Sequence, residues 1–175
     1  WANTGAVGVR VGGAAAGEGN LLQNILVRGD GVQVKGNLIG TNLSGTSVWR
    51  AASLGVYVFS GSDVLIGGSA PGEGNVIAGF TNSGVLLQGG TRTVVQGNFI
   101  GTNAAGASGL GNLNHGVEVQ SGASLPQIGG AVAGAGNVIA GNGGHGVVVQ
   151  THSATIQGNL IGTNPAGTAA LGNTG

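Results

Sequence analysis

Residues 156–164 read IQGNLIGTN, and this phrase occurs three times in the chain with small changes. The earlier copies are VKGNLIGTN at residues 34–42 and VQGNFIGTN at residues 95–103. Asn37, Asn98 and Asn159 are consequently spaced 61 residues apart. A fixed interval of this kind is typical of a repeat architecture, in which each copy has the same place in successive structural units.

A second phrase alternates with the first and halves the repeat. It reads GEGN at residues 17–20 and 72–75 and GAGN at 134–137. A further landmark, a glycine followed by an apolar run, recurs as GVYV, GVLL, GVEV and GVVV at residues 55–58, 84–87, 116–119 and 146–149. These landmarks predict units beginning at Gly5, Asn24, Gly55, Gly84, Gly116 and Gly146.

Each predicted unit contains three short apolar runs that are rich in β-branched residues and broken by Gly, Asn, Ser or Thr, which is the pattern of short strands. No stretch combines helix caps with a 3.6-residue apolar period. The sequence therefore predicts an all-β solenoid, a parallel β-helix of about six coils with three short strands each, as a single domain over residues 1–175. Longer loops should alternate between two corners of the coil, because successive units are lengthened in different places.

Stacked coils should place equivalent residues in columns. We expect two apolar columns in the core: Val34, Ile66, Val95, Ile128 and Ile156; and Ile39, Ile77, Ile100, Ile139 and Ile161. We expect an asparagine ladder with one member per coil, since stacked Asn side chains can bond to each other: Asn20, Asn37, Asn75, Asn98, Asn137 and Asn159. The glycine before each of these should supply a positive φ at the bend. A second column is predicted at Asn42, Asn103, Asn142 and Asn164, interrupted by Phe80.

The composition excludes several classes of protein. Only 6% of the residues are charged and the net charge is zero, so a basic nucleic-acid surface is not expected. The absence of cysteine excludes disulfides and thiolate metal sites. No apolar run is long enough to predict a membrane span.

The phrases GNLIGTNPAGTAALGN and IGGAVAGAGNVIAGN resemble those of bacterial right-handed parallel β-helix repeat proteins, which belong by fold to the pectate-lyase-like superfamily. The resemblance covers essentially the whole chain. It implies a right-handed, single-stranded helix and a secreted or cell-surface protein that meets polysaccharide, since some such helices are carbohydrate-binding modules of glycan-degrading enzymes. It does not imply one activity, because the same coils occur in lyases, hydrolases, adhesins and non-catalytic modules.

No catalytic residue, metal site or cofactor is predicted. Glycoside hydrolases need two carboxylates across the scissile bond, and the closest match, Glu18 with Glu73, lies two coils apart in loops. The acidic calcium cluster of lyases has no counterpart. His115 and His145 share one position in successive coils and should stack, but two histidines make a poor zinc site.

The outer face of the first strands is the candidate binding face. Its outward positions should stack as two columns: Leu26, Tyr57, Leu86, Glu118 and Val148; and Arg28, Phe59, Gln88, Gln120 and Gln150. Aromatic faces with amide, carboxylate and guanidinium groups are suited to sugars. The predicted carbohydrate-binding residues are Trp49, Arg50, Tyr57, Phe59, Gln88, Glu118 and Gln120.

Two interpretations of this face stay open. Trp49 either joins a binding cluster or folds over Tyr57 and covers the sheet. For the whole protein, a non-catalytic module binding a plant or microbial β-glycan is favoured, and a structural or adhesive rod is the alternative; a lyase or glycoside hydrolase is the least favoured. The expected partner is polysaccharide, without nucleic acid or membrane insertion. Neighbouring domains of a longer secreted protein, or end-to-end self-association, are expected to cover open coil ends.

Overall fold

The protein is a parallel β-helix. A computed structural model describes residues 5–49 and 52–175, in which 17 strands and no helix are found. The strands form three sheets, and every strand pair within them is parallel. This confirms the predicted all-β solenoid with three short strands per coil.

Each sheet collects one strand from successive coils. Sheet 1 contains β3 (Ile25–Arg28), β6 (Val56–Ser60), β9 (Val85–Leu87), β12 (Val117–Val119) and β15 (Val147–Val149). Sheet 2 contains β1 (Arg10–Gly12), β4 (Gln33–Lys35), β7 (Leu65–Gly67), β10 (Val94–Gln96), β13 (Gln127–Gly129) and β16 (Thr155–Gln157). Sheet 3 contains β2 (Leu21–Leu22), β5 (Leu38–Ile39), β8 (Val76–Ile77), β11 (Phe99–Ile100), β14 (Val138–Ile139) and β17 (Leu160–Ile161).

Both predicted apolar columns form the core. In sheet 2, Val95 pairs with Ile66 on one side and with Ile128 on the other, and all three are fully buried. In sheet 3, Ile100 pairs with Ile77 and Ile139 in the same way. Because each coil contributes one layer, the register of the sheets is fixed by which residues face inward.

The asparagine ladder runs along the bend between sheets 2 and 3. Each member before Asn159 donates from its Nδ2 and its backbone N to the Oδ1 of the next asparagine; from Asn75 to Asn98 these distances are 2.9 and 3.0 Å. The second Nδ2 hydrogen reaches a backbone carbonyl, as from Asn75 to Val34 at 2.8 Å. The ladder has all six predicted members, Asn20, Asn37, Asn75, Asn98, Asn137 and Asn159.

The glycines before the ladder serve two purposes, so the prediction of a uniform positive φ is half wrong. In even-numbered coils φ is positive, as at Gly97 (67°). In odd-numbered coils it is not, and the requirement is close packing: a Cβ on Gly74 would lie 1.9 Å from the carbonyl oxygen of Gly97. Close packing applies in even-numbered coils as well, since a Cβ on Gly97 would lie 2.0 Å from the carbonyl oxygen of Gly68. A larger residue is therefore excluded in every coil, and the positive φ is an additional constraint in the even-numbered ones.

The second predicted asparagine column is wrong in three of its four members. Asn142 does form a ladder, but its partners are Asn112, at 2.8 Å, and Asn173, also at 2.8 Å. Phe80 holds the preceding position, where its backbone N donates to Asn112 Oδ1. The remaining predicted members lie in hairpin loops instead, where each Oδ1 caps backbone N–H groups four and five residues ahead: Asn42, Asn103 and Asn164.

The loops alternate as predicted. Odd-numbered coils extend the link between sheets 2 and 3, at residues 13–19, 68–74 and 130–136. Even-numbered coils extend the link after sheet 3 as hairpins closed by antiparallel bridges, such as Thr102 with Gly109. The predicted start of the first unit at Gly5 is displaced, since Val7 bridges Asp30 and Arg10 pairs with Gln33. Gly5 therefore lies level with the end of β3.

Candidate functional site

The outer face of sheet 1 carries the residues predicted to bind carbohydrate. The first predicted column is in register: Tyr57 pairs with Leu26 and Leu86, and Glu118 pairs with Leu86 and Val148. The second column contains an irregularity. The register shifts after Val27, so that Arg28 pairs with Ser60 and not with Phe59. This shift accommodates one extra residue in β6, which is how a β-bulge redirects side chains.

Three side chains come together beside the bulge. Phe59 and Tyr57 pack edge to face with ring centroids 6.0 Å apart. The guanidinium carbon of Arg28 lies 4.6 Å from the centroid of the Phe59 ring, a cation–π geometry. Phe59 keeps 44% of its surface exposed, and Arg28 Nε is buried without a hydrogen-bond partner among residues 5–49 and 52–175. The result is an exposed aromatic ring that two neighbours hold in one orientation.

Polar side chains continue the face over the next two coils. The Tyr57 hydroxyl donates to Gln88 Oε1. Gln120 Nε2 donates to Glu118 Oε1 at 3.0 Å, and the other carboxylate oxygen, Oε2, accepts from Ser83 Oγ at 2.9 Å. These contacts fix the amide and carboxylate groups in place. We call this set the sheet 1 patch; it consists of Arg28, Tyr57, Phe59, Gln88, Glu118 and Gln120.

Trp49 lies at the corner that precedes sheet 1. Its backbone N donates to the Gly40 carbonyl at 2.8 Å, as Leu110 and Leu171 do to glycines in the other two hairpin loops. Its side chain is 55% exposed. The ring contacts of the described residues join Tyr57 to Phe59 and do not include Trp49. These ring contacts support neither the predicted cluster containing Trp49 nor the alternative in which Trp49 covers Tyr57. The other predicted corner residue, Arg50, lies outside the described residues.

Sequence reasoning missed two members of this environment. Arg28 was predicted to neighbour Phe59 in the outer column but was not included among the predicted site residues, although its guanidinium lies over the Phe59 ring. Ser83 immediately precedes the glycine that opens β9, the position that His115 and His145 hold in later coils. Counting along the repeat would have placed its hydroxyl beside this sheet.

Every carboxylate of the chain is engaged in a structural contact. Glu18 and Glu73 accept from Arg10 (2.7 Å) and Lys35 (2.9 Å), and each also accepts from a backbone N–H three residues earlier. The others contact basic, hydroxyl, amide or backbone groups: Asp30, Asp63 and Glu118. The described residues contain no group of three or more His, Asp or Glu that could hold a metal ion. Glu18 and Glu73 thus act in loops, as structural ion pairs.

His115 and His145 stack as predicted. Their ring centroids are 5.3 Å apart and the planes differ by 13°. His115 Nδ1 accepts a hydrogen bond from the backbone N of His145 at 3.1 Å. His115 Nδ1 is therefore occupied by a hydrogen bond, and the two histidines connect coils 5 and 6 at this corner.

The Lys35–Glu73 ion pair should make stability depend on pH. The hydrogen bond from Lys35 holds the pKa of the Glu73 carboxyl below its ordinary value of 4.5. A depressed carboxyl pKa stabilises the fold above the ordinary value, and this contribution is lost as the pH falls through the folded-state value. We expect Glu73→Gln to be less stable than wild type near pH 6, with a difference that shrinks towards pH 3 in urea unfolding. A difference that stays constant with pH would contradict this role.

No helix of sufficient length and apolar character to cross a membrane is found in the part of the chain that the structure describes. Comparison of the chain with protein-family models, curated proteins and solved structures finds no match. The assignment of the fold therefore rests on the strand pairing and on the asparagine ladders.

Proposed function

We propose that the sheet 1 patch binds a plant or microbial β-glycan without cleaving it. The observation that carries this proposal is the exposed ring of Phe59, held by Arg28 and Tyr57 beside a row of amide and carboxylate groups on the next two coils. An aromatic face beside hydrogen-bonding groups matches a sugar ring, which is apolar on its faces and polar at its rim.

The spacing of the patch supports an extended ligand. Adjacent coils lie about 4.8 Å apart, so Phe59, Gln88 and Gln120 form a ladder along the rod. A polymer lying across the strands would meet one rung per coil. Arg28 and Glu118 give the patch one positive and one negative group and thus no net formal charge, which favours a neutral glycan over a strongly anionic one.

Binding without cleavage is supported by the number of carboxylates in the sheet 1 patch. Hydrolysis of a glycosidic bond requires a pair of carboxyl groups on either side of it. Glu118 is the one carboxylate of the sheet 1 patch, and Ser83 and Gln120 hold it. We extend the proposal to a secreted or cell-surface location and to the pectate-lyase-like group of bacterial β-helix proteins, as the phrase resemblance implies.

Affinity electrophoresis against a panel of soluble β-glycans, followed by calorimetry, tests the proposal. Phe59→Ala should weaken binding at least about tenfold, which corresponds to roughly 1.4 kcal/mol and is a modest loss for an aromatic anchor. Val132→Ala is the matched control, because Val132 is equally apolar and 65% exposed but lies in a loop between sheets 2 and 3.

Two results would count against the glycan. One is that no member of the panel binds; the other is that Phe59→Ala and Tyr57→Ala both bind as wild type does. Trp49→Ala, measured in the same series, decides whether the corner tryptophan belongs to the site: a loss comparable with that of Phe59→Ala would add it.

A further inference from the structure

We propose that two copies of this chain pair laterally through the outer face of sheet 2, as antiparallel rods related by a two-fold axis that runs along the strand direction between coils 3 and 4. Such an axis sets each residue of coil 3 opposite its column neighbour in coil 4 of the second copy, and coil 2 opposite coil 5. This inference goes beyond glycan binding and does not depend on it, because the sheet 1 patch lies on another face.

Three residues at the corner between sheets 1 and 2 have a backbone conformation that favours glycine. Asp63, Arg92 and Leu125 have φ values of 57°, 56° and 52°, and every other positive φ among the described residues belongs to a glycine. The equivalent position in coil 2 is Gly31, with φ 62°. Side chains in this conformation cost stability and persist where something else requires them. Three consecutive coils therefore keep a side chain at a position that glycine would fit.

The contacts that these side chains make within one copy are weak. Arg92 Nε and Nη2 donate to Asp63 Oδ1 and Oδ2 at 2.7 and 2.8 Å, but both side chains are more than half exposed. Exposed ion pairs contribute little to stability. Leu125 is also more than half exposed. Side chains that are kept in an unfavourable conformation and left exposed indicate a contact outside the single copy.

The charges of this corner are self-complementary under the proposed axis. Asp63 lies in coil 3 and Arg92 in the same column of coil 4, where they already pair with each other. The axis sets Asp63 of each copy opposite Arg92 of the other, so the four groups form one cluster of alternating charge. Parallel rods in register would set Asp63 against Asp63, a like-charge contact. Charge complementarity thus selects the antiparallel arrangement and its register.

The shape of the face is complementary under the same axis. At the third position of the sheet 2 strands, the even-numbered coils 2 and 4 carry long side chains, Lys35 and Gln96. The odd-numbered coils 3 and 5 carry glycines there, Gly67 and Gly129. Because the axis exchanges coil 3 with coil 4 and coil 2 with coil 5, Gln96 faces Gly67 and Lys35 faces Gly129. Each projecting side chain in this column consequently meets a gap.

The centre of the face is apolar and its flanks are polar. Leu65 and Val94 hold the first strand positions of coils 3 and 4, pair in register and are partly exposed. The same column continues with an amide on each side, Gln33 in coil 2 and Gln127 in coil 5. The axis sets Leu65 opposite Val94 and Gln33 opposite Gln127, so like groups meet. An apolar centre with a polar rim is the usual anatomy of a protein interface.

The loops beside sheet 2 interdigitate in this arrangement. Odd-numbered coils 3 and 5 extend the corner between sheets 2 and 3 with residues 68–74 and 130–136, whereas even-numbered coils turn there within two residues, such as 97–98. The axis exchanges odd with even coils, so each loop of one copy faces a short turn of the other. The face spans four coils, about 19 Å along the rod. It is smaller than a standard interface, so we expect a weak dimer.

Charge reversal tests the proposed axis. In sedimentation equilibrium, the average mass of the wild type should rise with concentration and level off at that of a dimer, because an isologous contact is closed. Asp63→Arg and Arg92→Asp should each weaken association at least about tenfold, since like charges then face each other. Leu113→Arg is the control and should associate as wild type does, because Leu113 is exposed at the corner between sheets 3 and 1.

Mixing the two charge variants separates the interface from the ion pair within one copy. An equimolar mixture of Asp63→Arg and Arg92→Asp should associate again, because one copy presents two positive groups and the other two negative groups. Neither variant regains its internal ion pair in the mixture. Restored association would also show that both variants are folded.

Engineered cysteines test the register, because the chain has none of its own. Gln33 of one copy should face Gln127 of the other across the gap of about 10 Å between two packed sheets. A short bismaleimide should therefore link a mixture of Gln33→Cys and Gln127→Cys into heterodimers. Either variant alone should react far less, since its two cysteines are also displaced by three coils, about 14 Å, along the rod.

Several results would overturn the proposal. They are a wild type that stays monomeric at every concentration, an average mass that keeps rising beyond that of a dimer, and a mixture of the two charge variants that stays monomeric. Cross-linking of Gln33→Cys to itself as efficiently as to Gln127→Cys would overturn the antiparallel register.

Discussion

Asn98→Ala should lower the free energy of unfolding by about 3–6 kcal/mol, because several buried groups would lose their partners at about 1–3 kcal/mol each. Asn98 Oδ1 accepts from the backbone N and the Nδ2 of Asn75 at 3.0 and 2.9 Å. Its Nδ2 donates to Asn137 Oδ1 at 2.9 Å and to the carbonyls of Ile66 and Gln96. The side chain is 1% exposed, so water cannot replace these bonds.

The same phrase supplies the control. Asn103 lies five residues after Asn98, and its Oδ1 also accepts two hydrogen bonds, but both come from backbone N–H groups of its own exposed hairpin. Asn103→Ala should therefore cost about 1 kcal/mol, the usual loss of a local side-chain cap. Equilibrium unfolding in urea measures both values, and equal losses at the two positions would contradict the assignment of Asn98 to a buried ladder and of Asn103 to a loop.

The features predicted correctly from the sequence are those that repeat in every coil. The columns containing Ile100 and Asn98 occur at one fixed place in each unit, and stacking converts equal spacing along the chain into contact in space. A single register error would have moved these residues off the core, so the apolar pattern alone selects the correct alignment. The stacking of His115 on His145 followed by the same reasoning.

The predictions that were wrong concern the loops, in which the chain leaves the coil and returns to it. Asn103 and Asn142 both lie five residues after a member of the asparagine ladder, Asn98 or Asn137, and counting assigns them to one column. The hairpin that begins at Asn103 postpones the corner by nine residues, and Asn112 fills it. Only the antiparallel bridge of Thr102 with Gly109, a long-range contact, shows that the loop closes on itself.

The arrangement of the candidate site could likewise be predicted only where it depends on a regular repeat along the chain. Tyr57, Glu118 and Gln88 follow from strict alternation along a strand, which is a local property. The predicted column also set Arg28 beside Phe59, but the register shift that pairs Arg28 with Ser60 was not predicted, because a shift of one residue between two strands leaves the alternation within each strand intact. The positions of Trp49 and its neighbours depend on a corner loop, where no period applies.

Phe80→Ala should destabilise the fold by about 3–5 kcal/mol, the usual cost of removing a buried aromatic side chain. Among the residues that the structure describes, Phe80 is the largest fully buried side chain, and it stands in the column that later holds Asn112. Its ring fills the space above two glycines: a Cβ on Gly40 would lie 2.6 Å from Cζ, and one on Gly55 would lie 2.7 Å from Cε2. The backbone spacing of the coils is fixed by the sheets, so an alanine would leave a cavity that cannot collapse.

Two further substitutions make this prediction specific. Phe80→Asn removes the same ring but lets the new amide donate to Asn112 Oδ1, as Asn112 donates to Asn142 at 2.8 Å; it should lose less stability than Phe80→Ala. Phe59→Ala, at a ring that is 44% exposed, should lose clearly less than Phe80→Ala in the same urea titration. Equal losses for Phe59→Ala and Phe80→Ala would contradict this division of roles. Phe80 breaks the repeat because the core needs its volume. No packing requirement of that size accounts for the exposed ring of Phe59, and this contrast is why we propose Phe59 as the anchor of a binding site.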